Sequence, residues 1–232
     1  MASHRILIVE DDPDLAVITE TRLALAGYAS DTVRALSGLP AMLEEQTYHL
    51  ILMNTVMPDG ESEEMCRVIR ARCHCPIIFL SAFEDSGVIL KMLDAGADDY
   101  MLKPIRYDEL LLRIETRINQ ARVHSDRETP NWSGKMIRLK RLVIDLERRN
   151  ARLNGEDAGL SPIEFSLLAY MAEKQDALLL YEDLYRQVWD ADCLEDVRTV
   201  MVHISNLRKK IDPERDGLIQ TVRGAGYIFC DL

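Results

Sequence analysis

The chain has 232 residues, 47% of them hydrophobic, and a formal net charge of −11 at pH 7. This length is typical of two domains of ordinary size, each large enough to bury its own core. No apolar run approaches the ~20 residues that cross a bilayer, and the first residues do not match a secretory signal. We therefore expect a cytoplasmic protein.

The five cysteines agree with a reducing compartment, in which free thiols are the default. Cys73, His74 and Cys75 lie close enough in sequence to raise the question of a metal or redox site. Their spacing differs from that of the usual cysteine and histidine metal motifs, so free thiols are the preferred interpretation.

In the first half, short aliphatic runs alternate with amphipathic segments. The runs, which predict buried strands, lie at 6–9, 28–33, 50–53, 77–80 and 100–102. The helical patterns lie at 15–26, from Ser37 onward, and at 61–72, 85–95 and 107–121. Five such alternations predict an α/β domain at 1–122 with a flavodoxin-like, doubly wound, five-stranded parallel sheet. In such a sheet the functional crevice lies at the carboxyl ends of the strands.

The second half follows a polar segment at 123–135, which contains Pro130 and Gly134 and is typical of a linker. Strand-like pieces at 138–146 and 150–153 come next, and Ser161 and Glu164 then form a capping box that opens a helix at 161–174. The remaining predicted elements are helices at 182–190 and 195–211 and a hairpin of 219–222 with 227–230. Three helices and a closing hairpin predict an α+β winged-helix domain at 136–232.

Polar side chains stand where the predicted strands of the first domain end. They are Glu10 and Asp11 after the first strand, Asn54 at the third, Ser81 at the fourth and Lys103 at the fifth. Because the carboxyl ends of parallel strands share one edge, we expect these groups to converge. Adjacent carboxylates repel each other unless a cation binds between them, and oxygen ligands suit Mg²⁺. If the acidic residues are considered without the other strand ends, an alternative stays open, in which they only cap the following helix.

Six motifs together resemble a known protein family. ILIVEDD (6–12), LILMNTVMPDG (50–60), PIIFLSA (76–82) and GADDYMLKP (96–104) resemble the receiver domain of two-component response regulators. DVRTVMVHISNLRKKI (196–211) and TVRGAGY (221–227) resemble the winged-helix output domain of the OmpR/PhoB subfamily. The resemblance covers essentially the whole chain. It implies a DNA-binding transcription regulator rather than an enzyme, with a sensor histidine kinase and RNA polymerase as partners.

The resemblance also implies a role for each group at the strand ends. Asp11 would bind Mg²⁺ directly and Glu10 would bind it through water, with the carbonyl of Val56 as a further ligand. The groups that contact the phosphoryl or report its presence would be Ser81, Lys103 and Tyr100. The chemistry implied is phosphoryl transfer to a carboxylate, with the metal and the lysine neutralising charge on the moving group.

The sequence departs from the family at the phosphate acceptor. The family's aspartate lies four residues before a proline, and Pro58 places that position at Asn54. A neutral amide is not a competent nucleophile for acyl phosphate formation, and as a metal ligand it brings no charge, so we expect weakened Mg²⁺ binding. The hydroxyl of Thr55 stays open as an alternative phosphate acceptor, although it is less suitable.

Two explanations of Asn54 stay open. The residue is either natural, in a regulator that works without phosphate, or a recent or introduced change that blocks phosphorylation. If phosphate plays no part, the alternative function is a regulator whose receiver serves as a protein-interaction platform.

A basic stretch stands out in an otherwise acidic chain. Residues 198–210 contain four bases and no acid, although residues 124–232 together carry 19 acids and 16 bases. The predicted DNA-contacting residues of this helix are Arg198, Thr199, Val202, His203, Asn206, Arg208, Lys209 and Lys210. Among them Asn206 suits pairing with adenine, and Arg208 and Lys209 suit phosphates. For His203 two roles stay open, a hydrogen bond to phosphate and packing at the edge of the core. By resemblance, Arg223 in the hairpin would enter the minor groove of double-stranded DNA.

The resemblance implies head-to-tail binding to direct DNA repeats, with receivers paired through their fourth and fifth helices. Asp99 and Arg113 are expected to pair between subunits. Two other pairs on this face are unfavourable, namely Ile89 opposite Glu109 and Asp94 opposite Glu115. We therefore expect a homodimer of this kind to form less readily than the family alone implies.

Overall fold

The computed structural model describes residues 4–70, 73, 75–122, 136–189 and 197–230. The chain divides into two compact units, Met1–Ala121 and Arg122–Leu232. The predicted linker at 123–135 lies outside the described residues, as do His74 and Cys193. The four cysteines described are free thiols, namely Cys66, Cys73, Cys75 and Cys230.

The first unit contains a five-stranded parallel sheet, which confirms the predicted fold class. Its strands are β1 (Arg5–Val9), β2 (Ala29–Val33), β3 (Leu50–Asn54), β6 (Ile77–Ser81) and β7 (Asp99–Leu102), and a small hairpin adds β4 (Val56–Met57) and β5 (Gly60–Glu61). The helices are α1 (Pro13–Leu25), α2 (Leu39–Glu45), α3 (Ser62–Arg70), α4 (Ser86–Asp94) and α5 (Tyr107–Arg122). The sheet order is β2-β1-β3-β6-β7. Every residue of β3 and β6 is buried, as expected for aliphatic strands with a layer on each face.

The predicted second helix differs from the observed one. A 3-10 turn occupies Leu36–Gly38, and α2 begins at Leu39, with a proline in its first turn. The carboxylate of Asp59 accepts hydrogen bonds from the backbone N–H groups of Leu36 (2.9 Å) and Ser37 (3.0 Å). These bonds supply partners for N–H groups at the start of the turn, which have none within it.

The described residues of the second unit form a four-stranded antiparallel sheet, three helices and a three-stranded sheet, which together make up the predicted winged helix. The first sheet consists of β8 (Met136–Arg138), β9 (Leu142–Asp145), β10 (Asn150–Leu153) and β11 (Glu156–Asp157). The other elements are α6 (Pro162–Glu173), β12 (Leu178–Leu180), α7 (Tyr181–Trp189), α8 (Val197–Ile211), β13 (Ile219–Val222) and β14 (Gly226–Phe229). The single strand predicted at 138–146 is wrong, because the chain turns at 139–141 and β8 pairs antiparallel with β9.

The closing hairpin is held by a strand that the sequence pattern did not predict. In the second sheet β14 lies between β13 and β12. A Cβ atom at Gly226 would lie 1.9 Å from the carbonyl oxygen of Leu179, so only glycine allows β12 to pair this closely. The predicted capping box is confirmed, with the N–H of Ser161 donating to Glu164 Oε2 (2.7 Å) and the N–H of Glu164 donating to Ser161 Oγ (3.3 Å).

Candidate functional site

The carboxyl edge of the parallel sheet carries a pocket centred on Asn54, whose side chain ends β3 and is buried. Its amide nitrogen donates to Glu10 Oε1 at 3.0 Å, to Asp11 Oδ1 at 2.9 Å and to the carbonyl oxygen of Val56 at 2.8 Å. Glu10 and Asp11 directly follow β1, the neighbour of β3 in the sheet. The parallel topology therefore brings together the acidic and amide groups that the sequence placed at separate strand ends.

Lys103 closes the other side of this pocket. Its ammonium group donates to Glu10 Oε2 at 2.8 Å and to Asn54 Oδ1 at 3.2 Å. Glu10 is almost fully buried, and the lysine supplies the partner that a buried carboxylate needs. The oxygen of the Asn54 amide therefore accepts from the ammonium of Lys103. Its NH₂ group donates to the other three oxygens.

Ser81 and Tyr100 are held differently from the pocket groups. The hydroxyl of Ser81 donates to the carbonyl oxygen of Phe83 at 3.2 Å and accepts from the N–H of Phe83 at 3.1 Å, so it stabilises its own loop. Tyr100 lies half-buried on β7, beside Asp99. The hydroxyl of Thr55 donates to the carbonyl oxygen of Leu80 at 3.4 Å.

The helix α8 presents one exposed face. Its exposed side chains recur every three or four residues, namely Arg198, Met201, Ser205 and Lys209. Val202 and Arg208 are half-buried at the margins of this face. Arg223 is exposed in the turn between β13 and β14. These residues give the second unit a polar, largely basic surface on one helix and one hairpin.

Comparison with known proteins agrees with both units. The family described as "Response regulator receiver domain" matches residues 6–115, and "Transcriptional regulatory protein, C terminal" matches residues 155–229. The DNA-binding response regulators MtrA of Mycolicibacterium paratuberculosis and Mycobacterium tuberculosis are each 34% identical over 228 residues. These matches cover 97% of this chain and 97% and 96% of the two relatives.

The chain belongs to the OmpR/PhoB-type response regulators. The solved structure of a RitR mutant is 25% identical, with a TM-score of 0.79 over 99% of this chain and 100% of that one. The family consists of DNA-binding transcription regulators of two-component systems, not enzymes, and its receivers generally bind Mg²⁺. No helix in the described part of this response regulator is long and apolar enough to cross a membrane.

The structure of the response regulator corrects three of the predicted DNA contacts. Thr199, His203 and Asn206 are 3%, 1% and 6% exposed, because their positions on α8 turn toward the core. The ring of His203 lies 5.4 Å from that of Trp189, and Asn206 Oδ1 accepts a hydrogen bond from Lys209. The prediction that these three side chains face DNA is therefore wrong.

Two further predicted contacts hold the winged helix together. The guanidinium of Arg208 donates to the carbonyl oxygen of Ile219 (2.7 Å) and to the hydroxyl of Thr221 (2.8 Å), which joins α8 to β13. Lys210 donates to Glu164 Oε2 at 2.7 Å and to the carbonyl oxygen of Gly159 at 2.8 Å. Arg208 and Lys210, which were predicted to contact DNA, thus bind groups of their own domain.

Two exposed residues of α8 were not among the predicted DNA contacts. Met201 and Ser205 belong to the same face as Arg198 and Lys209, and the helical spacing of α8 was sufficient to find them. The predicted contacts did not include them, because the prediction did not separate the exposed face of the helix from the face that packs on the core.

The residues that were expected to pair between subunits are hydrogen-bonded within one chain. Asp99 Oδ1 accepts from Arg113 at 2.9 Å, and its Oδ2 accepts from Arg117 at 2.9 Å. Burial alone would raise the pKa of Asp99, but the two guanidinium groups outweigh it and lower the pKa. Ile89 is 7% exposed, so within one chain its side chain packs in the core. Glu109 instead accepts from Arg113 at 2.8 Å.

Proposed function

We propose that this response regulator is a sequence-specific transcription regulator whose receiver is not phosphorylated at position 54. The supporting observation is the hydrogen bonding of Asn54, whose amide donates to three acceptors and accepts from Lys103. The position lacks the carboxylate that attacks a phosphoryl group, and an amide in this network is not a nucleophile. Thr55 is also unsuited, because its hydroxyl is directed at the carbonyl oxygen of Leu80.

The functional division follows the two units. We assign the receiver to residues 1–122, the linker to 123–135 and the DNA-binding domain to 136–232. The break between Ala121 and Arg122 and the family matches at 6–115 and 155–229 support these bounds.

In the proposed DNA complex, α8 lies in the major groove and Arg223 reaches the minor groove. The contacting face contains Arg198, Met201, Val202, Ser205 and Lys209. Lys209 is suited to phosphate, whereas Ser205 and Met201 are suited to base edges and the thymine methyl group. We expect the target to be direct repeats in double-stranded DNA, as the family implies.

The proposed protein partners are RNA polymerase, a sensor histidine kinase and a second copy of the chain. Homodimerisation through Asp99 and Arg113 requires the ion pairs that these residues form within one chain to open, so we expect it to be weak. Val17 and Ile18 on α1 are 54% and 48% exposed, which favours the second candidate function, a receiver that binds a protein partner. The Mg²⁺ affinity of the pocket is reduced because Asn54 contributes no charge.

Phosphate transfer tests the proposal directly. The full chain and its Asn54→Asp variant are incubated with phosphoramidate and Mg²⁺, and phosphate incorporation is read from intact mass. We expect only the aspartate variant to gain a phosphoryl group and then bind DNA more tightly in fluorescence anisotropy. Stoichiometric phosphate on the unchanged chain would refute the proposal, and Thr55→Ala would then show whether the hydroxyl is the acceptor.

A further inference from the structure

We infer that the amide nitrogen of Asn54 occupies the place of the divalent cation, so that the receiver pocket is complete without metal. This inference rests on the proposed function, since it takes position 54 as the former acceptor. It replaces the expectation that Asn54 is a weak ligand. In this arrangement Asn54 competes with Mg²⁺ for the same oxygens.

The first argument is the convergence of three acceptors on a single atom. The oxygens that the family resemblance assigns to the metal belong to Glu10, Asp11 and Val56, directly or through water. All three lie 2.8–3.0 Å from the amide nitrogen of Asn54. The two N–H hydrogens serve three acceptors, so one of these bonds is shared. Mg²⁺ requires its ligands at about 2.0–2.1 Å, and it cannot share this space with the nitrogen.

The second argument is the orientation of the amide. For Asn54 to bind a cation through its oxygen, the amide must turn over and direct its NH₂ group toward the ammonium of Lys103. That ammonium now lies 3.2 Å from Asn54 Oδ1 and is itself held by Glu10 Oε2 at 2.8 Å. Turning the amide would place two donors opposite each other and remove the four hydrogen bonds that Asn54 now makes. Lys103 therefore fixes the orientation that excludes the metal.

The third argument is charge. Glu10 and Asp11 together carry two negative charges, and these would repel each other without a compensating group. Lys103 forms a salt bridge with Glu10, and the amide hydrogens bind one oxygen of each carboxylate. The ammonium of Lys103 thus offsets one of the two negative charges, and the amide hydrogens bind the carboxylate oxygens that face Asn54.

Deleting the amide distinguishes an occupant from a ligand. Asn54→Ala in the full chain removes the nitrogen and leaves Glu10, Asp11 and the Val56 carbonyl in place. We expect Mn²⁺ affinity, measured from the electron paramagnetic resonance signal of the free ion, to rise about tenfold or more, within the range seen for changes around metal sites. Affinity that falls or stays unchanged would overturn the inference. Adding Asp11→Asn should abolish the gain and so locate the ion in this pocket.

Lys103→Met tests the orientation lock separately. It should raise Mn²⁺ affinity by letting the amide turn, but it also removes a positive charge. The same substitution in the Asn54→Ala chain, which has no amide to turn, measures the charge effect alone, so a larger rise with Asn54 than with alanine supports the lock. Equal rises in Mn²⁺ affinity in the two chains would contradict the orientation lock. The phosphoramidate assay decides the proposed function independently, because phosphate on the unchanged chain would refute that proposal whatever the Mn²⁺ titrations show.

Discussion

Polar residues are arranged differently in the receiver pocket and on helix α8. In the pocket, groups that follow β1 and β7 converge on Asn54 at the end of β3, whereas Ser81 at the end of β6 bonds within its own loop. On α8, a run of polar residues that looked uniform is divided between the core, contacts within the domain and the exposed face. Strand ends are brought together by sheet topology, whereas each helix position turns by about 100°, so adjacent polar residues cannot share a face.

This contrast has an energetic consequence. A polar group turned inward is tied to the stability of its domain, because removing its partner leaves a buried donor, acceptor or charge. A polar group turned outward affects stability little and becomes important when DNA or a protein binds. Substitutions at the two kinds of position should therefore differ in whether unfolding or binding responds.

The largest effect is expected at the inward ion pair of Arg117 with Asp99, in which both side chains are nearly fully buried. Arg117→Ala should lower the free energy of unfolding by about 3–5 kcal/mol, because it leaves a buried carboxylate with one partner fewer. Urea denaturation measures the change. Arg106→Ala is the matched control, because its guanidinium is 83% exposed in the pair with Glu109 and should cost little.

The same carboxylate predicts a pH dependence. Because the pKa of Asp99 is lowered in the folded chain, its stabilising contribution is present above the unfolded pKa. It is lost as the pH falls through the folded value. The stability difference between the unchanged chain and Asp99→Asn should therefore narrow on acidification in urea titrations, and a difference that widens would contradict the assignment.

The next largest effect distinguishes Asn206, which faces the core, from Lys209, which is exposed on the same helix. Asn206→Ala should lower stability by about 1–3 kcal/mol, the usual cost of disturbing a buried polar group. Lys209→Ala should lower stability less than Asn206→Ala, since it removes a hydrogen bond to Asn206 Oδ1 rather than a buried side chain, and it should weaken binding to operator and random duplex about equally, with the salt slope reduced by about one. Thermal melting and anisotropy at several salt concentrations measure both. If Asn206→Ala changes base preference without loss of stability, the inward assignment is wrong.

A smaller effect is expected at Asn54 itself. In metal-free buffer with EDTA, Asn54→Asp should lower the free energy of unfolding by about 1 kcal/mol or more, because a third carboxylate joins Glu10 and Asp11. Added Mg²⁺ should then stabilise the aspartate variant and leave the unchanged chain almost unaffected. Comparable stabilisation of both chains by Mg²⁺ would contradict the arrangement of the pocket.

These residues also show how far sequence can lead. The five-stranded fold and the pocket followed from aliphatic runs and the residues that end them, since the carboxyl ends of parallel strands lie at one edge of the sheet. The orientation of the Asn54 amide did not follow, because it depends on the position of Lys103, 49 residues away. The pairing of Asp99 with two arginines of its own chain was missed for a related reason. A motif records which residues are present but not which of several partners each one binds.

The smallest effect is expected at Arg223, which is exposed in the hairpin turn and bounded by Gly224 with a φ of 74°. The turn extends the arginine away from the core, so its removal should leave stability unchanged. A narrow groove rich in A·T pairs has a deeper negative potential, and a guanidinium there favours one sequence over another. Arg223→Ala should therefore weaken operator binding by about 1 kcal/mol and random duplex by less. Lys209→Ala serves as the control, because a phosphate contact weakens both duplexes alike. Equal losses on both duplexes for Arg223→Ala would make this arginine a phosphate contact and leave sequence reading to the exposed face of α8.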